Sequence, residues 1–154
     1  MKGFYLEYRA LLTSDVVHLN RRADGQGLDA ILHVNPLLGS SSSGDDDTTG
    51  NGNSNGNGNG GSALLVVFNP TDADVAMSLA VPLYYSGIED VASVEEGPPG
   101  PGPVTTDGAS EPVLLALNRR YEAKVGVQLA ARSARWYLIT DASNSTSGGV
   151  ARAA

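Results

Sequence analysis

His18 and His33 are the chain's two histidines, and there is no cysteine. They are therefore the only imidazole or thiol groups available for acid–base, nucleophilic or metal chemistry. Asp29 and His33 lie in LDAILHVN (28–35), where a strand would place both on one face. An acid–base pair can be drawn from them, but a metal site needs a third ligand. A His33 side chain bonded to Asp29 or to backbone accounts for the pattern without chemistry. Three carboxylate pairs follow, Asp72/Asp74, Glu89/Asp90 and Glu95/Glu96. Glycoside cleavage needs two carboxylates about 5–10 Å apart across a rigid cleft. All three pairs fall in turns or loops, where turn chemistry and surface charge explain them. The tract GNGNGNGG lacks the Lys-Ser/Thr and following helix of a phosphate loop. The sequence thus predicts no catalytic residue, no metal ligand set and no cofactor site.

Aromatic rings remain as candidates for stacking on sugar: Tyr84, Tyr85, Tyr121, Trp136 and Tyr137. Neighbouring residues on a strand point to opposite faces, so one ring of each adjacent pair can face outward. Tyr84 and Trp136 are the candidate carbohydrate-binding residues, with core packing as the default for the inner member of each pair. Tyr and Trp also suit contact with a neighbouring domain, having an apolar body and a polar tip.

These residues must be positioned by a chain of 154 residues with net charge −7, a length that suits one domain. The acidic balance argues against a nucleic-acid partner, which requires clustered Lys and Arg. Arg21-Arg22 and Arg119-Arg120 are isolated pairs that read as solvated surface. No apolar run approaches the roughly 20 residues that span a bilayer, so no membrane segment is expected. The start, MKGFYLEYRALL, lacks the apolar core and small-residue cleavage site of a signal peptide.

Residues 39–62 are built only from Gly, Ser, Asp, Thr and Asn. Such a tract buries nothing to offset an ordering cost of about 1–2 kcal/mol per residue, and it reads as a disordered insertion. EEGPPGPGPVTTDGASEP (95–112) reads as a flexible loop, and 144–154 as a disordered tail. Between them, Phe4, Tyr5, Tyr8, Leu11 and Leu12 recur at helical spacing. Strands are expected at 28–35, 63–69 (apolar on both faces, as in a central strand), 75–85, 113–118, 123–131 and 134–140. Val75, Met77, Leu79, Val81, Leu83 and Tyr85 share one face of the third, while Pro82 suggests an edge or bulge. NPTDAD forms a turn, and the short ARS connector makes the last two strands a hairpin. About six strands without intervening helices predict an all-β, antiparallel β-sandwich, preceded by one short helix.

The stretches YRALLTSDVVHLNRRADGQGLDAILHVNP, LLVVFNPT, LAVPLYYSGI and VQLAARSARWYLI together resemble the C-terminal region of bacterial and algal glycoside hydrolase-like proteins. In those proteins an alpha-galactosidase-like (β/α)8 barrel precedes an antiparallel β-sandwich. The resemblance implies that residues 1–20 are a remnant of a preceding domain, its last helix, and that 21–143 form the sandwich. It implies a separate N-terminal catalytic barrel as partner, with the catalytic carboxylates outside this chain. Phe4, Tyr5 and Tyr8 are then expected to serve interdomain packing, with the helix packing poorly on the sandwich and leaving aromatic surface exposed. The alternatives are a free-standing carbohydrate-binding module that takes polysaccharide on coplanar exposed rings, or a fragment without activity.

Overall fold

A computed structural model describes residues 2–19, 24–36, 61–97 and 111–142. Most of the insertion at 39–62, most of the loop at 95–112, Arg21-Arg22 and the tail at 144–154 lie outside the described residues. The elements run α1 (Lys2–Leu12), β1 (Asp15–His18), β2 (Asp29–Val34), β3 (Gly61–Phe68), β4 (Val75–Pro82), a 3-10 turn (Tyr84–Ser86), β5 (Val91–Glu96), β6 (Val113–Ala116), β7 (Glu122–Leu129) and β8 (Ala134–Asp141). All strand pairs are antiparallel. One sheet has six strands in the order β1-β2-β3-β8-β5-β6, and the other pairs β4 with β7. The expected all-β sandwich is the architecture observed.

Alternation decides which face of each strand goes inward. Ala30, Leu32 and Val34 of β2, Ala63, Leu65 and Val67 of β3, and Tyr137 and Ile139 of β8 meet Leu79 and Val81 of β4 and the Ala123-to-Leu129 face of β7 in one core. Full burial of a Leu or Val side chain contributes about 1.5–3 kcal/mol, so this set supplies most of the drive to fold. The second face of the central strands is apolar as well. Leu64, Val66, Trp136 and Leu138 lie there, covered by Phe4, Tyr8, Leu11 and Leu12 of α1. The helix therefore packs on the sandwich, contrary to the expectation that it would pack poorly. A strand buried on one side only would leave that outer stripe wet, and the amphipathic helix is the element that dries it.

Four local expectations change. β1 (Asp15–His18) and β5 (Val91–Glu96) are strands beyond those that the periodicity predicts. β1 pairs residue for residue with β2, so part of the 1–20 segment belongs to the sandwich sheet. Gly61 and Ser62, assigned to the insertion, open β3, and Glu95 and Glu96, assigned to the loop, close β5. The third change concerns the last two strands, which are not a hairpin. β7 pairs with β4 from Val75↔Leu129 to Pro82↔Glu122, and β8 lies between β3 and β5. β8 is apolar on both faces and belongs in the middle of the larger layer, whereas β7 alternates and needs only one buried face. The Ala130–Ser133 connection crosses the roughly 10 Å between layers, with Arg132 in the left-handed region at φ 55°. The fourth change is the end of β4, which stops at Pro82 rather than running on to Tyr85. β2 and β3, which flank the low-complexity tract in sequence, are antiparallel neighbours.

The Asn-Pro turn is as expected and more firmly held than its sequence implies. The Asn69 side chain, fully buried, donates to the carbonyls of Ala73 (2.8 Å) and Ala130 (3.0 Å). Its Oδ1 accepts from Thr71 N (3.1 Å) and Thr71 Oγ1 (2.8 Å). One amide thus ties the β3–β4 turn to the β7–β8 crossover.

Candidate functional site

Several of the polar groups singled out in the sequence have an identifiable place. Asp29 and His33 are four residues apart on β2, about 13 Å along a strand, so they form no pair. The Nδ1 of His33 is buried with no hydrogen-bond partner among the described residues, and burial holds the imidazole below its ordinary range. A depressed folded-state value means that the unfolded chain takes up a proton more readily. The neutral ring's contribution is complete above the unfolded value of about 6.5 and is lost as pH falls through the folded value. Urea midpoints at about pH 7.5 and about pH 5 are expected to show a smaller acid-side loss in His33→Val than in the parent protein. An equal loss in both would show that another group is responsible.

Asp72 and Asp74 serve the turns, whereas Glu96 belongs to β5. Asp72 makes a two-pronged contact to Arg132, at 2.8 and 3.1 Å, and that guanidinium lowers its proton affinity. Asp74 Oδ1 accepts from Ala131 N at 2.9 Å, and Glu96 is ion-paired with Arg135. The last pair borders an open cleft of about 320 Å³ between the layers, which is also lined by Ala76, Met77, Gly126 and Gln128. Among the described residues no group of three His, Cys, Asp or Glu could hold a metal ion. No helix among them is long and apolar enough to cross a membrane.

The aromatics divide into two clusters of opposite character. Phe4, Tyr8 and Trp136 form a closed triangle, with ring centroids 5.1–5.3 Å apart. Trp136 is 9% exposed and offers no open face, because α1 lies over it. Burial, with Glu7 alongside, raises the Tyr8 phenol well above its ordinary range. Of the three residues assigned to interdomain packing, Phe4 and Tyr8 are spent on the sheet, while Tyr5 remains 47% exposed.

Tyr84 and Tyr85 belong to the second cluster. Because β4 ends at Pro82, the rule that neighbours oppose one another across a strand does not apply to them. The 3-10 turn puts both on the surface, 65% and 60% exposed, where Tyr121 joins them. Tyr84 meets Tyr85 at 5.4 Å with planes 84° apart, and Tyr121 at 5.6 Å and 62°. The rings are edge-to-face, not the coplanar set that a flat stacking platform would require. Sequence reasoning had Tyr121 as a candidate but no signal for its proximity to Tyr84, since β6 and β5 lie between them in the chain.

No protein-family model matches the sequence, and no curated protein matches it.

Proposed function

We propose that this chain is a non-catalytic β-sandwich accessory domain of a carbohydrate-active, glycoside hydrolase-like protein, stabilising a separate catalytic (β/α)8 barrel. The observation that carries the reading is the two-sided use of α1. Its inner residues Phe4, Tyr8, Leu11 and Leu12 clamp it to the sheet. Its outer side still presents Tyr5 and Leu6, 47% and 60% exposed. A helix clamped to the sheet on one side and presenting apolar residues to solvent on the other is suited to lie between this sandwich and a neighbouring domain.

The purified chain is expected to release no chromophore from a panel of nitrophenyl α- and β-glycosides. The genomic sequence upstream of Met1 is expected to continue an open frame encoding a barrel with two strand-end Asp residues. Glycoside cleavage by the chain alone would overturn the proposal, as would an upstream frame closed by stop codons.

A further inference from the structure

The Tyr84–Tyr85–Tyr121 corner is built from loops that are individually braced. Leu83 N donates to the Tyr121 carbonyl at 2.8 Å, tying the 3-10 turn to the β6–β7 turn. Asn118 organises the latter: its Oδ1 accepts from Arg120 N (2.8 Å) and Glu122 N (3.1 Å), and its Nδ2 donates to Glu122 Oε2 (2.9 Å). Leu117 N donates to the Asp90 carbonyl at 2.8 Å, drawing in the segment after Gly87, itself at φ 78°. Tyr121 is held at φ 58°, a region in which a bulky residue is uncommon. That conformation keeps its ring against Tyr84.

The three rings present both carbon faces and hydroxyls, and among the described residues no hydrogen bond engages those hydroxyls. Their surroundings carry both signs. Arg119 and Arg120, which directly precede Tyr121, are exposed and in no ion pair among the described residues, and Glu89 and Asp90, exposed as well, lie in the segment tied to Leu117 through the Asp90 carbonyl. This mixture selects among ligand classes. An anion would meet two carboxylates as well as two guanidiniums, and an apolar helix would have to desolvate all four charges, at a cost. A sugar chain suits both requirements, because every hydroxyl can donate and accept while the ring's C–H face lies on an aromatic. Perpendicular rings make a notch for one chain, not a plane for a crystalline surface.

We propose that this corner binds a single neutral glycan chain, with Tyr84 and Tyr85 stacking on sugar rings and Arg119, Arg120, Glu89 and Asp90 bonding to hydroxyls. The site is independent of the accessory-domain reading, which the hydrolysis and reading-frame tests address separately.

Affinity electrophoresis of the 154-residue chain tests it, using native gels cast with galactomannan, mixed-linkage β-glucan or soluble starch, and a parallel gel with polygalacturonate. Retardation is expected in at least one neutral gel. Tyr84→Ala and Tyr85→Ala should each weaken it about tenfold or more, about 1.4 kcal/mol per tenfold, with unchanged far-UV circular dichroism. Both positions are largely exposed, so neither variant removes core packing. No retardation in any neutral gel overturns the proposal. So does retardation by polygalacturonate alone, which would indicate an ionic site, or retardation that survives both substitutions. Self-association abolished by Tyr84→Ala would also overturn it, since a second copy would then cover the corner.

Discussion

Trp136→Ala is expected to lower the unfolding free energy by about 3–5 kcal/mol, the range for truncating a buried aromatic. Trp136 is the keystone of the outer cluster, with Phe4 and Tyr8 on it and Leu64 and Leu138 alongside. Without the indole, α1 loses the surface against which two of its four inward residues rest. A void would form beneath the helix or the helix would lift, and either outcome wets the second face of β3 and β8. The substituting residue matters, because Trp136 Nε1 is buried with no partner among the described residues. Trp136→Phe removes that orphan donor while keeping most of the ring, and should cost much less than Trp136→Ala. Gly97 limits the site from the other side: its amide donates to the Trp136 carbonyl at 3.0 Å, and a Cβ there would occupy the space of the indole. Urea denaturation followed by circular dichroism is the suitable measurement, since this is the chain's one tryptophan. A loss below about 1 kcal/mol would mean that α1 does not rest on the sheet.

Asn69→Ala is expected to cost about 2–4 kcal/mol, although it removes only one small polar side chain. Each hydrogen bond contributes about 0.5–1.5 kcal/mol net, but a buried group left without its partner costs about 1–3 kcal/mol. The substitution strips donors from the Ala73 and Ala130 carbonyls and an acceptor from Thr71 in one step. It also releases a fully buried side chain that bridges the β3–β4 turn and the β7–β8 crossover. Asn69→Asp should be worse at neutral pH, since it aims a carboxylate oxygen at two carbonyls. Leu65→Ala, in the centre of the core, is a useful scale for comparison at about 2–5 kcal/mol. Matched urea midpoints for Asn69→Ala and the parent, within about 0.5 kcal/mol, would show that the exposed Asp72–Arg132 contact and the turn backbone suffice without it.

The barrel and the glycan proposals bear on different surfaces. The first concerns the outer side of α1, where Tyr5 and Leu6 face away from the sheet. The second concerns the corner beyond the end of β4. Both can hold together, because neither uses Trp136, Phe4 or Tyr8, which are consumed by internal packing.

What the amino-acid sequence determined by itself is local. The alternation of Ala123, Val125, Val127 and Leu129, the two-sided apolarity of 63–68, and the helical spacing of Phe4, Tyr8, Leu11 and Leu12 each follow from backbone geometry. They carried the all-β class, the helix and most strand positions. The four-residue β1 and the short β5, which ends in two glutamates, hold too few alternations to stand out from loop. Only the tertiary structure decided which strands pair, and therefore which rings meet. β7 joins β4 instead of its neighbour β8 because β8 has two apolar faces to bury and β7 has one, a competition settled across the whole chain. The same competition turned Trp136 inward beneath α1, while the stop at Pro82 turned Tyr84 and Tyr85 outward together. Periodicity is written residue by residue, but burial is allocated among all elements at once, so the composition of the exposed aromatic corner emerges only after folding.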